Sequence, residues 1–92
     1  MEDPKEFLEW INSRMSFYRH LNTRVTSSMS SDEFNGIVRD VIDGMQCDSE
    51  SYFNFCRNGT TIPVISKAYS ELSACSRELL QGLSFIKNLM GF

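Results

Sequence analysis

One histidine, three cysteines and several closely spaced carboxylates are the residues of this chain that could do chemistry. His20 stands alone. A metal site would need further ligands beside it, and a nucleophile–base pair would need an orienting third group. It falls on the polar side of its expected helix, and the chain has no HExxH, GxSxG, phosphate-loop or dinucleotide fingerprint. Asp32-Glu33, Asp40-Asp43 and Asp48-Glu50 are acidic pairs. Helix capping and solvated faces account for them, and none is isolated in the apolar setting that would raise its pKa. Cys47, Cys56 and Cys75 are odd in number and lack CxxC spacing, so they read as reduced small hydrophobes in a reducing compartment. No catalytic residue, metal or cofactor is expected, and the chain is not expected to be an enzyme.

Totals narrow the class further. With 92 residues, one domain is expected, and one that hides only roughly 60–65% of the surface its unfolded chain exposes. Apolar residues at 41% are too many for a disordered chain. Seven Phe, three Tyr and one Trp exceed what so small a core needs, which leaves aromatics for a subunit contact. The net charge of −3 argues against nucleic acid as the main partner, because phosphate binding needs a positive footprint. The opening MEDPKEF is acidic and has no long apolar run, unlike a secretory signal, and no stretch approaches the ~20 apolar residues of a membrane span. An intracellular protein, cytoplasmic or nuclear, is the expectation. Asn58-Gly59-Thr60 then reads as a turn and not as a glycosylation site.

Four helices would position these side chains. The first spans 4–25, capped by Asp3 with Pro4 in the first helical position. Phe7, Leu8, Ile11, Met15, Tyr18 and Val25 share one arc, and Trp10, Phe17 and Leu21 the adjoining arc. Together they cover about half the circumference, wider than one neighbour needs. A polar connector, 26–31, follows. The second helix spans 32–45: Ser30 and Glu33 have capping-box spacing, and Phe34, Ile37, Val38, Val41, Ile42 and Met45 match the helical template. Asn35-Gly36 conflicts with it, and Gly44 or the residues after it end it. The third, 49–57, is capped by Asp48 or Ser49, anchored by Tyr52, Phe53, Phe55 and Cys56, and closed by Asn58-Gly59; a strand is the alternative here. The fourth spans 63–89, capped by Thr61. Ile65, Ala68, Leu72, Cys75, Leu79, Gly82, Ile86 and Leu89 form a heptad seam, and Tyr69, Leu80, Leu83 and Met90 widen it. Gly82 interrupts the seam, which favours a bundle helix over a free coiled coil. The expected fold is all-α: a small bundle of three to four helices with a long C-terminal heptad-bearing helix.

Contact surfaces are the functional features this pattern suggests. Phe85, Leu89 and Phe92 lie at i, i+4 and i+7, away from the main stripe, and leave the last turns apolar on nearly all sides. They read as an interface patch, the alternative being that they tuck into the chain's own core. Arg14 falls within the first helix's apolar arc. Its stem is expected along the core edge with the head in water; the alternative is an ion pair with Asp40, Asp43 or a partner's carboxylate. Trp10, Phe17 and Leu21 interleave with Arg14 and Arg24; core plus rim is the default reading, and the mixture is also common at interface hot spots and at sites that stack on single-stranded bases. The serine cluster before Asp32 has the chemistry to accept phosphate, although capping explains it.

The resulting expectation is a non-enzymatic protein–protein interaction module: a small helical subunit, adaptor or inhibitor within a larger intracellular assembly. It would bind a protein partner, or itself, through the first and last helices. The interface residues would be Trp10, Arg14, Phe17, Leu21, Phe85, Leu89 and Phe92. A helical nucleic-acid-binding regulator is the second reading.

Overall fold

Asp3 accepts a hydrogen bond from Lys5 N at 3.0 Å, and Pro4 fills the first position of α1, Pro4–Thr23. α2, Ser31–Cys56, opens on Ser30, whose hydroxyl accepts from Glu33 N at 3.1 Å. α3, Pro63–Met90, begins after Ile62, which makes no side-chain cap. These helices come from a computed structural model, which describes residues 3–57 and 62–92. The expected caps at Asn58-Gly59 and Thr61, and the triplet at 58–60, lie outside the described residues. Among the described residues the chain is all-helical, with three helices and no strand.

The segments expected as 32–45 and 49–57 are one continuous helix. Gly44 does not end a helix, and neither Asp48 nor Ser49 caps one. The 3.6-residue pattern runs on through Phe34, Ile37, Val41, Gly44 and Asp48, all buried, to the half-buried Tyr52 and Phe55. Phe53 is not an anchor; it points outward and is 67% exposed. Ile42 also lies outside the stripe and is about half exposed.

The stripe of α3 differs from its expected register. Ile65, Leu72, Ser76 and Leu83 are buried, with Tyr69, Leu79 and Ile86 half-buried between them. Burial in the second column therefore centres one residue later than 75 and 82, on Ser76 and Leu83, while Ala68 and Cys75 stay half-buried against the core and Leu89 is exposed. Gly82 leaves the seam and faces open space, so it does not interrupt the packing. Leu89 moves outward with it.

Contacts between named side chains set the topology. Phe7 stacks on Phe55 with ring centroids 4.3 Å apart, and Tyr52 stacks on Tyr69 at 4.0 Å. At the opposite end Phe34 meets Phe92 at 5.1 Å. α2 thus runs antiparallel to both α1 and α3, which are parallel to each other, in an up-down-up bundle 45 Å long and 17 Å across. Aromatic rings pack at both ends, and Leu21, Ile37 and Leu83 belong to the same buried core.

The bundle's last turn depends on glycine. Gly91 has φ +74°, a left-handed conformation, and its N–H and that of Phe92 both donate to the carbonyl of Lys87. This turn brings Phe92 back against Phe34.

Candidate functional site

A polar triangle lies between α1 and α2. Arg14 Nε donates to Asp48 Oδ1 at 2.7 Å, Tyr18 Oη donates to Asp48 Oδ2 at 2.5 Å, and Arg14 Nη2 donates to Tyr18 Oη at 3.4 Å. The Asp48 side chain is 4% exposed and that of Arg14 22%. Arg14 is therefore ion-paired and not held with its head in water, and its partner is Asp48 and not Asp40 or Asp43. Its guanidinium also lies over the Phe17 ring, 4.3 Å from the centroid. No buried side-chain nitrogen or oxygen among the described residues lacks a partner.

Gly44 makes this triangle fit. A Cβ there would lie 2.7 Å from Arg14 Nη2 and 2.7 Å from Tyr18 Oη. The backbone of α2 approaches both groups because nothing projects from position 44.

The triangle's ionisation follows from its surroundings. Burial disfavours the Tyr18 phenolate, and the Asp48 carboxylate accepting its proton adds to this, so its pKa is raised above the usual 10.0. Burial opposes charge on Arg14, but its bonds to Tyr18 and Asp48 outweigh this and raise its pKa. The unfolded chain loses the Tyr18 proton near pH ~10, whereas the folded chain holds it to higher pH. Stability due to Tyr18 is therefore complete below that pH and is lost as pH rises through the folded-state pKa. Urea unfolding from pH 9 to 11 should show stability falling faster for the native chain than for Tyr18→Phe. Equal slopes would show that Tyr18 ionises as freely folded as unfolded.

Above the triangle α1 and α2 leave an open groove of ≈ 460 Å³. Their backbones run farther apart than those of any other helix pair in the bundle, and the large side chains of Phe7 and Tyr18 pack between the helices. Trp10, Arg14 and Phe17 form one wall; Asp40, Asp43 and Cys47 form the other. Asp40 and Asp43 are exposed, and among the described residues neither has an ion-pair partner.

The second surface is the end of α3. α1 ends beside Cys75–Leu79, where Arg19 and Asn22 border a shallow cleft, so α3 continues toward Met90 without it. Phe85 is 64% exposed and Leu89 70%, one turn apart on the same face.

The expected interface residues thus divide. Trp10, Arg14 and Phe17 come together in the groove. Phe85 and Leu89 come together on α3. Leu21 joins neither surface, because it is buried in the core, and Arg24 is the exposed cap of α1. Phe92 is half-buried against Phe34. Sequence reasoning did not find the roles of Tyr18, Gly44 and Asp48, nor the exposure of Phe53. The spacing of Asp48 from Val41, seven residues within one helical stripe, was the available signal.

All three cysteines are free, and no group of three potential metal ligands occurs among the described residues. No described helix is long and apolar enough to cross a membrane. No protein-family model, curated protein or solved structure matches this chain.

Proposed function

We propose that this chain is a protein–protein interaction module, a non-enzymatic subunit, adaptor or inhibitor of an intracellular assembly, with the end of α3 as its principal contact surface. The observation that carries this reading is the exposure of Phe85 and Leu89 on adjacent turns. Single exposed apolar residues are ordinary, but a large aromatic and a leucine side by side are suited to an apolar contact. Covering the surface still open on each would contribute about 1–2 kcal/mol.

Because these side chains project into solvent, Phe85→Ser with Leu89→Ser should change folding stability little, by roughly 0.5 kcal/mol or less per site. The same pair should remove most of the chain's binding. The test is capture by the tagged full chain, with the mass of the intact complex measured for the native and double-variant forms. A mass above that of one chain, reverting to the single chain in the variant, supports the proposal. An unchanged complex, or no complex with the native chain, refutes it.

A further inference from the structure

We infer that the groove between α1 and α2 is a second docking site, and that it takes a segment of another protein carrying a lysine or arginine beside an apolar residue. Charge complementarity identifies the occupant. Asp40 and Asp43 line one wall as exposed carboxylates with no ion-pair partner among the described residues. Asp48 below them is already satisfied by Arg14 and Tyr18, so a cation entering the groove meets the two outer carboxylates first. Across from them stands Trp10, half-buried, the aromatic ring best suited to a cation and its alkyl stem. The neighbouring Phe17 ring already carries the guanidinium of Arg14 on its face. Arg14 therefore acts inside the protein, leaving Trp10, Asp40 and Asp43 for the incoming side chain. Phosphate-bearing ligands and acidic segments would be repelled by the same wall. The inference shares with the proposed function the idea of a protein partner, but it uses different residues, so either surface can fail alone.

Selection of random fifteen-residue peptides on the intact chain tests it. Peptides recovered on the native chain are counter-selected on Asp40→Asn with Asp43→Asn, then titrated individually while the emission of Trp10, the chain's one tryptophan, is followed. Recovered sequences should pair Lys or Arg with an adjacent apolar residue and shift Trp10 emission. They should bind the double variant about tenfold more weakly, two exposed charge contacts each contributing a modest share. Binding should survive Glu71→Gln with Glu78→Gln, an equal charge change at exposed α3 positions outside the groove, and Phe85→Ser with Leu89→Ser. The proposal is overturned if no peptide is recovered, if the peptides lack cations, or if the Asp40/Asp43 variant binds them equally. Peptides lost only on the Phe85/Leu89 variant would also overturn it while leaving the α3 surface intact. A Trp10 shift caused by raising the concentration of the chain alone would overturn it in favour of a second copy as occupant.

Discussion

Replacing Asp48 by alanine should lower the free energy of unfolding by about 3 kcal/mol, a large share of the stability of a chain of this size. The loss has two parts. Arg14, three-quarters withdrawn from water, keeps its charge but loses the carboxylate that compensates it. Tyr18 loses the acceptor of its hydroxyl proton in a buried setting. The cost should approach the lower end of the range for a broken buried pair, because the guanidinium can still reach solvent in part. Urea unfolding of Asp48→Ala measures it. The triple replacement Arg14→Met, Tyr18→Phe and Asp48→Leu should recover most of the loss, because an apolar set of similar volume leaves no uncompensated charge. A destabilisation under ~1 kcal/mol by Asp48→Ala would show that the triangle contributes little.

Three glycine-to-alanine substitutions in the helices should differ in sign. Alanine in a helix interior ordinarily stabilises by about 1 kcal/mol, because glycine loses more backbone freedom on folding. Gly36 and Gly82 have nothing within 4 Å of an added Cβ, so both should show that gain. Gly44→Ala should instead destabilise by roughly 1–3 kcal/mol. The atoms its Cβ meets belong to side-chain ends that would otherwise move aside cheaply. Here both are tied to Asp48, and Tyr18 is enclosed on all sides, so yielding breaks the triangle. Thermal or urea unfolding of the three variants reads the difference directly. A stabilised Gly44→Ala chain would mean that the side chains of Arg14 and Tyr18 do not lie against the α2 backbone at position 44.

These two positions also explain where the sequence misled. Gly44 has the chemistry of a helix end and Asp48 that of a helix cap, so together they read as a break between two helices. They are instead two requirements of one buried site within an unbroken α2: room for Arg14 and Tyr18, and a carboxylate to receive them. Local preference cannot reveal this, because the partners lie 30 and 34 residues away. Where spacing alone decides, the reading was better. The cap at Asp3, the capping residue Ser30, the core positions Phe7, Ile11, Phe34, Ile37 and Val41 and the all-helical class of the described residues were legible.

The heptad on α3 shows a second limit. Two candidate columns, one beginning at Ala68 and the other at Tyr69, both alternate with Ile65 and Leu72 at permissible spacing. Only the neighbouring helices choose between them, and they bury Ser76 and Leu83 more deeply than Cys75 and Gly82. That choice exposes Leu89 beside Phe85. The division of the expected contact residues was equally beyond sequence: Leu21 and Phe17 lie one turn apart, yet the first faces the core and the second the groove.

Hydroxyl-radical footprinting of the isolated chain and of the complex it forms would test most directly whether the end of α3 is a contact surface. Phe85 and Leu89 should be oxidised readily in the isolated chain and protected several-fold in the complex. Equal oxidation of both residues in the two states would contradict a binding role for that surface.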